Sequence, residues 1–303
     1  MRFLHCSDVH VTANYAAIPF LKLGWRRWIA LGELTWGGRA AAYAQAPETL
    51  HQIVRDCEAH RVDHLLVTGD LTAYALPNEF EGAHRALRPF SEDPRRCTII
   101  PGNHDTYTPG AHASGRFARW FGPLGQSELP AYQREGPFPF VKFPGDGVAV
   151  VGLLSARVPP VPGASWGVIG RRQLAGLSAL LEDPRMAGRA VLVMVHHAPL
   201  RKDGRPDKRH HGLVDARALF ELLRGERFAV LHGHIHKRYH HPATADRPHI
   251  FGAGSSTQAG HEGYWLIDTE GGRIREATAW SPGAAQPAFS AQLGAGMEGR
   301  ATP

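Results

Sequence analysis

The chain has 303 residues, enough for two average domains or one large α/β unit, and its 43% hydrophobic and 20% charged content excludes a collagen, a disordered chain and a disulfide-stapled miniprotein. No apolar run approaches the roughly eighteen residues of a membrane span; the longest, Val148 to Ala156, suits a buried strand. A net charge of +6 favours anionic partners without separating nucleotides, nucleic acid and lipid head groups, and the three scattered cysteines, Cys6, Cys57 and Cys97, suit a reducing compartment.

The chain opens on a strand-like run, Arg2 to Cys6, which leaves no room for a signal peptide, and a cytoplasmic protein is expected. Residues 12–46 form an apolar and basic insertion. On a helical wheel Ile18, Leu21, Trp25, Trp28 and Ile29 share a stripe, but Phe20, Leu23, Leu31 and Leu34 fall elsewhere. Such an all-round apolar pattern suits either a cap packed on the body or an interfacial segment, 18–36, with its arginines at lipid head groups. The second reading places the protein peripherally at an inner membrane, and neither involves a transmembrane segment.

Helix is then expected over Pro47–His60, Pro77–Phe90, Ala111–Phe121, Gly170–Glu182 and Leu213–Leu223. Strands are expected at Asp63–Val67, Cys97–Ile100, Ala190–Val195 and Phe228–Leu231. A hairpin around Gly145-Asp146-Gly147 joins Phe138–Phe143 to Val148–Leu154, and short strands continue to Ala279. Residues 281–303, poor in apolar bulk, read as a flexible tail, so the body is one domain over 1–280.

Alternating strands and helices suggest an α/β layered fold, in which ligand sites lie beyond the carboxyl ends of the strands. Five strands here end in polar clusters: Asp8/His10, Asp70, Asn103/His104, His196 and His234/His236. Asp8, His10, Asp70, Asn103, His196, His234 and His236 offer oxygen or imidazole nitrogen and no sulfur. That donor set suits zinc, iron or manganese more than calcium. Seven donors are too many for one tetrahedral zinc, and about right for two ions sharing a carboxylate. Asp8-x-His10 and His234-x-His236 each project two side chains to one side of an extended segment. No Walker loop, GxGxxG or Gly-x-Ser-x-Gly elbow is present, which leaves kinase, Rossmann and serine-hydrolase chemistry without a motif.

These blocks, Asp8-Val9-His10, Gly69-Asp70, Gly102-Asn103-His104-Asp105, His196 and Gly233-His234-Ile235-His236, resemble the five-part signature of calcineurin-like metallophosphoesterases. The resemblance implies a four-layer sandwich, two mixed β-sheets flanked by helices. It also implies two divalent ions (Mn, Fe, Zn or Mg) and hydrolysis of a phosphodiester or related bond by a hydroxide held between them. Asp8, His10 and His236 would hold one ion, Asn103, His196 and His234 the other, and Asp70 would bridge. His104 would act on the phosphate, with Asp105 accepting its hydrogen bond to orient it. Of the doublet, His196 is taken as the ligand because such patterns place it two residues before an Ala or Pro, which leaves His197 as a neighbour near the substrate.

The forms of the blocks favour a phosphodiesterase acting on a small phosphorylated substrate. A UDP-2,3-diacylglucosamine-type pyrophosphatase, a DNA exonuclease that would make nucleic acid the partner, and a non-enzymatic scaffold are the competing readings. Three further stretches stay open. The basic loop Arg201 to His211 either reaches over the site or is solvated. Gly252 to Ser256 lines the mouth or is a plain turn. His232 packs beneath the last block or joins it, while Asn78 and Glu79 are expected to start a helix.

Overall fold

A computed structural model describes residues 1–13, 39–106, 108–158 and 165–293. Two six-stranded mixed sheets carry the architecture. In the first, β1 (Arg2–Cys6), β2 (His64–Val67) and β3 (Cys97–Ile99) run parallel, and β10 (Tyr264–Glu270), β11 (Arg273–Trp280) and β12 (Phe289–Gln292) extend it antiparallel from β1. In the second, β5 (Val148–Gly152), β6 (Ala190–Met194), β7 (Phe228–His232) and β9 (His249–Ala253) run parallel, with β4 (Phe140–Lys142) and β8 (Arg238–His241) antiparallel at the edges.

Side-chain alternation turns these sheets into a sandwich. Phe3 of β1 and Leu66 of β2 face the second sheet, where they pack with Val148, Val150, Leu192, Met194, Ala229 and Leu231. Their neighbours Leu4, Cys6, Leu65 and Val67 face outward, onto Leu50, Ile53 and Cys57 of α2 (Ala46–Ala59) and Phe80 and Ala83 of α3 (Pro77–Ala86). A four-residue helix, α1 (Arg39–Ala42), precedes α2. On the outer face of the second sheet the alternate residues Ala149, Val151, Val191 and Val193 meet Leu177 and Leu180 of α6 (Arg171–Leu181) and Leu219 of α7 (Ala216–Leu222). The result is helix, sheet, sheet, helix, as the motif resemblance implied.

The expected helix Pro77–Phe90 ends at Ala86, because Pro89 disfavours helical backbone in the residue before it. Ala111–Phe121 divides into α4 (Pro109–Ala113) and α5 (Arg116–Phe121). The break is Gly115, whose backbone is left-handed at φ +61°. The flexible tail expected over 281–303 needs correction in its part up to Leu293, and 294–303 lie outside the described residues. Phe289–Gln292 adds β12 to the open edge of β11, and Leu293 is buried against the core between the sheets. A short run of alternating bulk was enough to pair once a free strand edge lay beside it. The stripe at 18–36 lies outside the described residues. No helix among the described residues is long and apolar enough to cross a membrane.

Three histidines far from the strand-end clusters, His64 and His249 buried and His240 half-buried, are held neutral. Burial pushes His64 and His240 down to about 3 and His249 to about 4. Geometry gives the reason at His249: its Nδ1 accepts from the Ala243 N–H at 3.2 Å and faces His240 Nε2 at 3.2 Å. A proton there would meet a donor already in place. Each of the three binds a proton in the unfolded chain before it does in the fold, so stability falls as pH drops from about 6.5 toward 4. Urea unfolding at pH 7, 6 and 5 should show a loss of as much as ~4 kcal/mol per pH unit from these groups, ~1.4 from each. His240→Phe, which keeps the stack on Phe251 (centroids 4.3 Å apart), should remove about one third of that slope.

Candidate metal centre

All five strands that carry the site are parallel members of their sheets, so their carboxyl ends lie on one side. Asp8 and His10 follow β1, Asp70 follows β2, Asn103 and His104 follow β3, His196 follows β6, and His234 and His236 follow β7. The chain must turn sharply off each strand to aim these groups inward. Asp8, His10, Asp70, His234 and His236 accordingly sit in the left-handed region, at φ 51°, 49°, 53°, 73° and 50°. Among described non-glycine residues only Arg61 and Ala75 share that conformation. Such backbone costs ~1–3 kcal/mol per residue and persists where the surroundings over-determine it. Gly102 is required for a related reason: a Cβ there would lie 2.1 Å from Asp70 Oδ1.

The structure brings the seven donors into two adjoining groups. In the first, His236 Nε2 lies 3.2 Å from Asp8 Oδ1 and 3.2 Å from His10 Nε2, and His10 Nε2 lies 3.8 Å from Asp70 Oδ2. In the second, His196 Nε2 is 3.4 Å from Asp70 Oδ2 and 3.0 Å from Asn103 Oδ1, and His234 Nδ1 is 3.1 Å from the same amide oxygen. Asp70 Oδ2 belongs to both. Its other oxygen accepts from the His104 N–H at 2.8 Å.

This arrangement fits cations. Asp8 Oδ1 is buried and accepts no hydrogen bond. Imidazole lone pairs converge on it and on each other at distances that only a proton or a metal ion between them makes favourable. Burial lowers the His196 imidazole, but the Asp70 carboxylate outweighs it and leaves His196 raised to about 9. For Asp70 itself burial works upward, and the imidazoles of His196, His104 and His10 overcome it and hold the carboxyl well below its ordinary range. In the metal-free chain a proton on His196 therefore balances part of the acidic charge. Its Nδ1 lies 2.7 Å from the Thr68 carbonyl, which fixes the ring with Nε2 toward the donors.

Two assigned roles change. His197 does not face the substrate space. It is fully buried, its Nδ1 2.8 Å from Ser155 Oγ and its ring 4.4 Å from that of His234, and burial holds it well below the ordinary histidine range. Both residues lie just beyond the end of β6 at Met194; the His196 ring reaches Asp70 and Asn103, and the His197 ring packs on that of His234. Asp105 does not take its hydrogen bond from the His104 ring. Its carboxylate accepts from the N–H groups of Gly102 (2.9 Å), Leu71 (3.3 Å) and Thr72 (3.0 Å), and from the Thr72 hydroxyl (3.0 Å). Burial and the Asp70 charge push Asp105 up to about 7. His104 Nδ1 instead lies 2.7 Å from the Ala73 carbonyl, so Asp105 acts on the ring through the segment 71–73.

Several supporting residues carried no motif. Ser255 Oγ donates to the Asp8 carbonyl (2.7 Å), Thr257 Oγ1 donates to the Val9 carbonyl (2.6 Å), and Ser256 Oγ accepts from the Ser7 N–H (3.0 Å). These hydroxyls clamp the left-handed Asp8–His10 turn, so the stretch Gly252–Ser256 is more than a plain turn. Glu79 caps α3 by accepting from Tyr74 and Leu76, as a helix start should. His232 is buried beneath the last block, its Nε2 2.8 Å from the Tyr239 hydroxyl.

Tyr43, near the end of the insertion, is buried, with its hydroxyl 3.2 Å from His236 Nδ1. If His236 ligates through Nε2, its Nδ1–H donates to Tyr43. Tyr43→Phe should weaken metal binding by about ten- to a hundredfold while the chain stays folded. Metal content after dialysis against graded chelator would measure it.

A cavity of about 940 Å³ opens over both donor groups, and its walls include Tyr43, His104, Arg201, Lys202, His211, Lys237 and Gln258. Fold and site together define a metal-binding α/β sandwich with a substrate-sized opening at its strand ends. The profile of the calcineurin-like phosphoesterases matches residues 1–238, and the chain belongs to that family. No curated protein sequence matches it. Among solved structures, a dimetal phosphatase of Danio rerio superposes with a TM-score of 0.63 at 14% identity, over 97% of this chain and 99% of that one. The purple acid phosphatase PPD1 of yellow lupin (Lupinus luteus) gives 0.58 at 11% identity, over 96% of this chain and 53% of that one. At such identities the likeness is one of fold.

Proposed function

We propose that the chain is a binuclear phosphodiesterase, cleaving a diester or related bond of a small phosphorylated substrate. The observation that carries the diester reading is the cavity. It flanks both donor groups, with Tyr43 and Gln258 beside His236 and the loop from Arg201 to His211 beside His234. A phosphorus atom at Asp70 would thus have room for a substituent on either side.

Asp8, His10, His236 and Asp70 would hold one divalent ion, and Asp70, Asn103, His196 and His234 the second. When bound, the ions supply positive charge to the phosphoryl oxygens and acidity to a water. The chain's own residues do the rest. The carbonyls of Thr68 and Ala73 fix the His196 and His104 rings. His104, on the cavity wall, faces the phosphate, stabilises charge developing on its oxygens and holds a proton for the leaving oxygen.

The test is a panel on the full chain reconstituted with Mn, Fe, Zn or Mg. It sets bis(p-nitrophenyl) phosphate against p-nitrophenyl phosphate, with cyclic nucleotides, a nucleotide-sugar diphosphate and single-stranded DNA as further arms. The diester is expected to exceed the monoester at least about tenfold in kcat/KM, a difference of ~1.4 kcal/mol. A monoester preference, or no hydrolysis with any ion, overturns the reading.

A further inference from the structure

The basic loop after β6 is fastened at both ends. The Tyr239 hydroxyl donates to the Leu200 carbonyl, and His241 Nε2 lies 2.9 Å from the Arg201 carbonyl. At the other end the His211 carbonyl lies 2.9 Å from Nε2 of His234, and the His211 ring packs 4.2 Å from the His234 ring. The loop is therefore a fixed wall of the site, with its position tied to one of the seven donors.

Not every cation around that opening has a partner. Asp203 pairs with Arg201 at 2.7 Å and Asp207 hydrogen-bonds His211 Nδ1 at 2.6 Å, so neither of the loop's carboxylates in the cavity is paired with a lysine. Lys202 lines the same cavity, as does Lys237, the residue after His236. Both are exposed, and neither forms an ion pair among the described residues. The loop's other cations, Arg205, Lys208 and Arg209, are not in the cavity wall. Two lysines thus line one opening, outside the donor cage, and neither has an ion-pair partner among the described residues. A lysine ammonium is a compact point charge suited to a phosphoryl group approached from solvent.

We propose that Lys202 and Lys237 form a second anion subsite, which binds a phosphoryl group of the substrate other than the one hydrolysed. The inference rests on the phosphodiesterase reading and narrows it to substrates that carry an additional phosphate. That phosphate sits either elsewhere on a nucleoside or in a pyrophosphate chain, and the two are separable by experiment.

Calorimetry on the manganese-loaded full chain provides the test without relying on turnover. The ligands are thymidine 5′-phosphate against thymidine 3′,5′-bisphosphate, and adenosine 5′-phosphate against adenosine 5′-diphosphate. At least one doubly phosphorylated ligand should bind tenfold or more tightly than its monophosphate. The double variant Lys202→Ala/Lys237→Ala should cut that ratio at least fivefold, and Lys202→Arg/Lys237→Arg should retain it. The alanine variant also controls for the stronger metal chelation of a diphosphate, which it leaves in place. No advantage for either doubly phosphorylated ligand, or an advantage that the alanine variant cuts less than fivefold, overturns the subsite. Failure of every diester in the activity panel would strike the phosphodiesterase reading and leave these ratios standing, so the two can fail separately.

Discussion

Replacing Asp70 by asparagine is expected to lower phosphoester turnover by about three orders of magnitude or more, a loss of ~4 kcal/mol in transition-state stabilisation. Metal content should fall with it. Asp70 Oδ2 adjoins both donor groups, 3.8 Å from His10 Nε2 and 3.4 Å from His196 Nε2, while Oδ1 accepts the His104 N–H. An asparagine cannot satisfy both sides. With its oxygen toward the donors, its NH2 opposes the His104 N–H; with the NH2 turned inward, it presents a donor where a cation would bind. Either way one buried negative charge is gone, and with it the interaction that raises His196 to about 9. Elemental analysis beside steady-state kinetics checks both halves, and an NMR titration of the metal-free variant should find the His196 pKa below that of the parent chain.

Ligation needs several donors within a few ångströms, and a fold supplies them cheaply only from short segments at neighbouring strand ends. This is why Asp8-x-His10, Gly69-Asp70, Asn103-His104 and His234-x-His236 stand out in the chain as a sequence. The sandwich follows from the same signature, and the strand–helix alternation agrees with it. What supports the donors is not visible in that way. Tyr43 reaches His236 across 193 residues, and the hydroxyls of Ser255 and Thr257 hold backbone carbonyls nearly 250 residues away. A common side chain that meets a distant carbonyl leaves no local pattern. The partner of the His104 ring escapes a reading of the sequence for a related reason: it is the backbone of Ala73, which any residue could supply, whereas Asp105 stands next to His104 in the chain. The choice within His196-His197 is decided by what each ring meets, Asp70 and Asn103 for His196 and Ser155 for His197.

Left-handed backbone at five of the seven donors connects stability to chemistry. The conformations cost free energy, and the structure restores it through contacts from other strands, such as the His10 N–H donating to the Asp70 carbonyl at 2.9 Å. Donor groups held this way are in place before a cation arrives, which is what a preorganised site requires. The arrangement also makes the sheet ends interdependent, since the Asp8 carboxylate accepts from the His234 N–H at 2.8 Å across 226 residues.

His104→Ala should separate catalysis from metal binding. Its ring is held by the Ala73 carbonyl on the cavity wall, and its backbone N–H, the part that touches Asp70, survives the substitution. Metal content should therefore stay near that of the parent chain, while kcat falls by about a hundred- to ten-thousandfold if the ring delivers a proton to the leaving oxygen. The size of the loss should depend on that oxygen. A p-nitrophenolate departs as a stable anion and needs little protonation, so p-nitrophenyl esters should sit at the mild end. An alkoxide, as from a ribose ester, needs the proton and should sit at the severe end. Measuring kcat for one ester of each kind in both proteins yields the ratio directly. A larger loss for the alkoxide assigns proton transfer to His104, whereas equal losses would mean that its contribution is charge stabilisation at the phosphoryl oxygens.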